Sequence, residues 1–393
     1  QTCALPILLE SQSALRQRNI AASWLPAVNV DGQTQYQSDV AHVPLATPTG
    51  RPLFSPPKAT FDTAVRVDQR LFDPTVSAQQ RLERAQLAEQ QARVRATLFA
   101  LRQQVNEAYF AALALQARSS ALEAAITDLE GRLRETNARV TEGVALAADA
   151  AAIEAALLER RQDALELQAG RRVALAHLAD LTGLPIADGD TLAVPRLDAP
   201  VARARQESAD LRARPEYALF ARTRERVAGQ QALATAQERP RVMTFGRVGV
   251  GRPGLNFASD AVEGYGLGGG RVQWNAWNWG VPARERAALD EQARIVSADE
   301  AALAKTLRDA VRPDEAALDR LRDTLTLDDR IIALREQVSR STDVRFREGV
   351  VTVSDYLARV ADLQRARFAK ADHEVQLAQA GARLLTTLGL EVR

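Results

Sequence analysis

Arg139-Val140-Thr141-Glu142-Gly143 returns about 206 residues later as Arg345-Phe346-Arg347-Glu348-Gly349. An acid follows each glycine at one shared spacing, Asp149 and then Asp355. Farther on, Leu181-Thr182-Gly183-Leu184 matches Thr387-Leu388-Gly389-Leu390, and Val105 falls on Val311. A long-period duplication fixes architecture before any single side chain is read. Each copy reads as a long helix, a glycine turn and a helix back, with strands beside them. That unit looks like half of a tube.

The first long helix is expected from Thr75 to about Val140, and Gly143 breaks it. Its return runs from about residue 146 to Leu181, where Gly183 and Pro185 end it as glycine and proline end helices. The second copy repeats this over about 282–344 and on to Leu388. At 1.5 Å per residue, each long helix of about 65 residues extends on the order of 100 Å. A proline-containing connector fills about 184–200, and a shorter helix is expected over about 201–238, stopping at Pro240. Pro313 sits inside the second long helix, where a kink or local break costing about 3 kcal/mol is expected. The repeats are set at 8–190 and 191–393. Residues 1–7, Gln1 to Ile7, read like translated adapter DNA and are taken as non-native, so a missing secretion signal carries no information.

Four strands flank the helices. Val28, Val30, Thr34 and Tyr36 share one parity, opposite Asn29, Asp31, Gln33, Gln35 and Gln37. A polar loop rich in proline follows through Pro57, and the second strand (59–71) sets Phe61, Val65, Val67 and Leu71 against Asp62, Arg66, Asp68 and Arg70. The third (about 241–251) carries Val242, Val248 and Val250 on one parity. The fourth (about 264–277) sets Val272, Trp274 and Ala276 against Arg271, Gln273 and Asn275. Strands of about ten residues match a tilted bilayer span, and this alternation fits lipid outside and water inside. A small soluble sheet with one wet face fits the same pattern. Trp274, Trp277 and Trp279 at the end of the fourth strand, with Tyr36 at the end of the first, fit an aromatic girdle. Four strands cannot close a barrel in lipid, so a membrane reading requires several copies.

Composition excludes other classes. Net charge is +1, from 51 basic and 50 acidic residues, so no global field draws in nucleic acid. The single cysteine, Cys3, and three scattered histidines, His42, His177 and His373, offer no disulfide and no metal-ligand spacing. No cofactor, metal or catalytic constellation is expected. The glycine run from Gly264 to Gly270 precedes a strand instead of opening a helix, so it fails as a nucleotide loop.

The order of these signals resembles the TolC-type outer-membrane efflux proteins over about residues 8–390. The likeness rests on Arg345-Phe346-Arg347-Glu348-Gly349, Val353-Ser354-Asp355-Tyr356-Leu357, Leu363-Gln364-Arg365-Ala366-Arg367, Arg214-Pro215-Glu216 and Leu71-Phe72-Asp73. It implies a mainly α chain whose antiparallel hairpins form an α-barrel, with four strands per chain in a trimeric 12-stranded barrel. The implied role is a passive exit duct in the outer membrane of a Gram-negative bacterium, its helices reaching into the periplasm. An inner-membrane pump and a periplasmic adaptor would deliver its substrates, without catalysis by this chain.

Site residues follow from the same resemblance. Arg139, Glu142, Gly143, Arg345, Phe346, Glu348 and Gly349 would mark hairpin tips that meet the adaptor. Asp355, and Asp149 by repetition, would stand at the pore gate, although both also suit a helix N-terminus. The chain departs from the family at Val351, Ala358 and Val140, and its alanine-rich run from Ala145 to Ala156 replaces a polar turn. That run is expected to serve as a packing groove. The rival reading is a soluble periplasmic coiled-coil protein such as the adaptor itself, which has a single hairpin between β-domains.

Overall fold

The computed structural model describes residues 4–40, 57–206, 211–256 and 260–390. His42, Cys3 and most of the proline-rich loop before Pro57 lie outside the described residues. In chain order the elements are α1 (Ala4–Ala22), β1 (Ala27–Tyr36), β2 (Ala59–Phe72), α2 (Pro74–Thr141) and α3 (Ala147–Thr182). They continue with α4 (Asp198–Gln206), α5 (Pro215–Gln237), β3 (Arg241–Arg252), β4 (Glu263–Gln273), α6 (Val281–Arg347) and α7 (Val353–Thr387). The chain divides into two compact units, each built from both repeats: Gln1–Val94 with Ala218–Asp299, and Arg95–Tyr217 with Glu300–Arg393.

The first unit holds a four-stranded antiparallel sheet in the order β1-β2-β3-β4. Pairing β2 with β3 joins the two repeats in one sheet. The register aligns Val30 with Val65 and Val65 with Val248, so the apolar parities of three strands fall on one face. β4 adds Gly264, Gly266 and Gly268 to that face and then Val272. A register shift between Arg70 and Phe72 sets Phe72 opposite Val242.

Asp73 joins sheet to helix. Its Oδ1 accepts from the Thr75 backbone N–H at 3.0 Å and the Thr75 hydroxyl at 2.6 Å, and Pro74 opens α2 as a first-turn proline. Arg70 at the end of β2 reaches the same carboxylate at 3.1 Å.

The second unit packs α2, α4, α6 and α7 around Phe110, Leu113, Val201, Leu318, Leu321, Leu384 and Leu385. Three sequence expectations need correction. The helix expected over 201–238 is interrupted: α4 ends at Gln206, Leu211–Ala213 form a 3-10 turn, and α5 starts at Pro215. Proline pushes Arg214 out of the helical region. Arg214 then turns to the end of α7, where Nη1 donates to the carbonyl oxygens of Thr386 at 3.2 Å and Thr387 at 2.7 Å. Pro313 does not break α6, which runs unbroken from Val281 to Arg347. Beside it, buried Asp314 accepts from Arg383 and Thr387 of α7, and those ties offset the lost backbone bond. β4 stops at Gln273, so Trp277 and Trp279 lie beyond the strand.

Candidate functional sites: an inside-out sheet and two hairpin tips

In the sheet the usual burial order is reversed. Val30 is 75% exposed and Val248 70%, whereas Asp31, Asp62, Arg66 and Arg247 on the opposite face are half-buried. That polar face covers itself. Arg66 pairs with Asp68 at 2.9 Å and Asp31 at 3.5 Å, Asn29 donates to Asp68 at 3.2 Å, and Arg247 pairs with Asp62. Exposed valines in rows opposite an ion-paired polar face suit apolar surroundings on one side and water on the other. A water-soluble sheet would bury the valines instead. Among the described residues no helix is long and apolar enough to cross a membrane.

The aromatic residues mark the two ends. Tyr36 closes β1 at one end, and Trp274 follows β4 at the other. All four predicted aromatics are exposed. Trp274 Nε1 donates to the Glu238 carbonyl at 3.0 Å, while the Trp277 and Trp279 rings meet edge to face at 5.9 Å. Trp279 has φ of 55°, a region unusual for a bulky residue, and Arg284 donates to its carbonyl at 3.0 Å.

The second unit carries both hairpin tips, and their backbones match. The Gly143 N–H donates to Val140 O at 3.0 Å and the Val144 N–H to Arg139 O at 2.9 Å. The Gly349 N–H donates to Phe346 O at 3.0 Å and the Val350 N–H to Arg345 O at 2.8 Å. These paired bonds form a Schellman stop, whose left-handed residue is glycine here at φ 75° and 74°.

The side chains differ. Thr352 caps α7 by accepting from the Asp355 N–H at 3.1 Å, and Asp355 Oδ2 accepts from the Thr352 N–H at 3.4 Å, a capping box. Leu146 precedes α3 with no side-chain cap, and Asp149 lies in its first turn. Phe346 is buried and stacks on Tyr356 with ring centroids 5.1 Å apart, above Leu129, Ile153 and Leu157. Arg345, Glu142 and Glu348 are exposed, and Arg139 donates to the Arg347 carbonyl at 2.6 Å, linking the two tips.

Sequence reasoning assigned no role to the groups that tie α2 to the second hairpin. The Arg132 guanidinium lies 5.1 Å from the Tyr356 ring centroid and donates from Nε to its hydroxyl at 3.1 Å. Arg132 also pairs with Asp343, and with Glu135 at 2.6 Å. Arg347 bridges the same two acids, at 3.3 Å to Glu135 and 3.2 Å to Asp343. Burial raises the Tyr356 hydroxyl above its ordinary pKa, partly opposed by Arg132. Tyr356 stood in a quoted motif, but its partner Arg132 is 224 residues away, beyond any local pattern. Between the tips, Gly143, Val144, Leu146, Gly349 and Val350 line a cleft of about 520 Å³.

An exposed apolar sheet face and two helical hairpins with matching glycine stops fit a subunit of a membrane-anchored channel. Residues 8–184 match the outer membrane efflux protein family. No curated protein sequence matches the chain. Among solved structures, the chain aligns over 98% of its length with 86% of the outer-membrane channel OprN, at TM-score 0.68 and 16% identity. It aligns over 100% with 93% of VceC from Vibrio cholerae, at TM-score 0.68 and 15% identity. The open state of the Neisseria gonorrhoeae MtrE channel gives TM-score 0.67 and 17% identity, over 100% of this chain and 87% of that one. At such identities the likeness shows a shared fold. The first part of the chain thus resembles the outer membrane efflux protein family, and the chain as a whole shares the fold of these outer-membrane channels.

Proposed function

We propose that three copies of this exit-duct chain close one channel, through which substrates from an inner-membrane pump leave by way of a periplasmic adaptor. The reversed burial of the sheet carries this reading: its valines need lipid, and its edges need partners. In lipid an unpaired strand edge is not tolerated, and membrane barrels have about eight strands or more. With β1 and β4 at the edges, β4 of one copy can pair with β1 of the next and keep the antiparallel alternation. Three copies give twelve strands, with Tyr36 and the tryptophans as girdles at opposite rims.

The hairpin tips divide the remaining tasks. The first tip, with Gly143 and exposed Val144, Leu146, Ala147 and Ala148, presents a smooth apolar surface that suits the adaptor. Arg139, Glu142, Arg345, Phe346, Glu348 and Gly349 shape the surrounding contact. The second tip carries the gate. Asp355 first caps its own helix, and three copies around the axis would gather an anionic ring, with Asp149 as a weaker counterpart.

The test is extraction and mass. The protein is expected in the outer-membrane fraction, soluble only with detergent and at the mass of three chains. A monodisperse monomer in plain buffer would overturn the proposal. Cysteines placed at Ala147 and Ala148 should cross-link to the adaptor in the assembled system; no adduct would remove the first tip from the docking surface.

A further inference from the structure

On the polar face of the sheet, near the β1–β2 and β3–β4 loops, lies a pocket of about 300 Å³ lined by Gln33, Gln35, Thr60, Asp62, Arg247 and Tyr265. Its shape depends on bare backbone. A Cβ on Gly249 would stand 2.7 Å from Ala64 Cβ and 2.9 Å from Tyr265 Cζ, so glycine lets the tyrosine ring lie across β3. A Cβ on Gly251 would come within 3.1 Å of the Phe61 carbonyl and 3.2 Å of Asp62 Oδ1. From β4, Tyr265 therefore reaches Asp62 on β2 and donates its hydroxyl to Oδ1, while Arg247 pairs with Oδ2.

The charges here are already matched. Both Asp62 oxygens are taken, and Arg252 at the rim holds Asp260 at 2.9 Å and 3.0 Å. An ionic solute would have to displace one of these pairs. Uncharged groups remain: the Gln33 and Gln35 amides, joined only by a long 3.5 Å contact, and the Thr60 hydroxyl. A pocket at the lower end of the small-molecule range, roughly 300–1,000 Å³, has room for a sugar-sized ring.

We propose that this pocket is a luminal subsite for neutral, hydroxyl-rich solutes of the saccharide class. The proposal rests on the reading of the polar face as the channel wall. Hydroxyls that both donate and accept satisfy the two glutamine amides and Thr60, and the Tyr265 ring offers the sugar's C–H face an apolar contact. The ion pairs stay in place.

The trimer in a planar bilayer provides the test, with maltotriose and a polyethylene glycol of equal hydrodynamic size added in turn. Maltotriose is expected to interrupt the current in discrete events that saturate with concentration, while the polymer lowers it only in proportion to its amount. The double variant Gln33→Ala, Gln35→Ala should raise the half-blocking concentration about tenfold, as expected for two lost hydrogen bonds. Tyr265→Phe should change it less, because the ring remains. Block is normalised to each variant's own open current. A pore that treats sugar and polymer alike, or a double variant that blocks as the parent does, overturns the subsite while leaving the channel intact. Failure to form any pore overturns the channel reading and the subsite together.

Discussion

The two hairpin tips share a backbone and differ in what their side chains hold. Gly143 and Gly349 end their helices with the same pair of hydrogen bonds. Around the second glycine, Phe346 stacks on Tyr356, Thr352 and Asp355 cap α7, and Arg132 ties the turn to α2. The first tip has Val140 in place of the aromatic and Leu146 in place of the cap. Duplication therefore kept the chain reversal in both copies, where only glycine sits comfortably at positive φ. It left the side chains free to diverge into one fastened turn and one smooth turn. The fastened turn suits a gate, which needs a defined closed state. The smooth turn suits a surface that another protein must cover.

The largest expected contrast comes from the aromatic position. Phe346→Ala removes a buried ring and should cost about 3–5 kcal/mol of local stability, whereas Val140→Ala, half-exposed, should cost well under 2 kcal/mol. Hydrogen exchange at residues 343–360 against 137–154 reads the difference, and equal protection loss would erase the asymmetry.

Next is the tie between hairpins. Arg132→Ala leaves Asp343 without its closest cation and strips the guanidinium from Tyr356, at an expected cost of about 2–4 kcal/mol. Thermal unfolding and channel current should both register it. An unchanged current would separate this cluster from gating.

Capping should follow at smaller scale. Asp355→Ala is expected to cost about 1 kcal/mol through the lost capping box, and Asp149→Ala about half of that through the helix dipole alone. Exchange of the first-turn amides of α7 and α3 compares the two directly.

The smallest effect is alkaline. Burial holds the Tyr356 hydroxyl above the ordinary tyrosine value near 10, so its neutral form is favoured in the folded tip. The resulting stability is present below that value and is lost as pH rises through the higher folded pKa. Phenolate absorbance should lose one late-titrating tyrosine in Tyr356→Phe, while the late titration of Tyr109, also raised by burial, remains. Normal titration of all tyrosines would place Tyr356 in water.

Much of this fold was legible in the chain because it depends on periodicity and glycine. The parity of Val28, Val30, Val65, Val67, Val248 and Val250 announced one apolar face, and the register then brought it together. Gly143, Gly183, Gly349 and Gly389 announced the helix ends, and each adopts positive φ. What local pattern missed was decided by distant partners. The helix expected over 201–238 breaks because Arg214 serves the end of α7, and α6 survives Pro313 beside the Asp314 ties to α7. The site was less legible for the same reason. Asp355 was found by its motif, and the structure shows it capping its own helix. The Arg132 cluster joins residues from opposite halves of the chain, and no spacing in the sequence marks it.

Single-channel current through the reconstituted protein tests the central claim most directly, comparing the parent with Arg132→Ala and with Leu146→Ala. The expected result is a stable pore in all three, with conductance raised when the second tip is loosened and unchanged when the first is altered. No pore from the parent would contradict the duct. A pore that responds equally to both changes, or to neither, would contradict the placement of the gate.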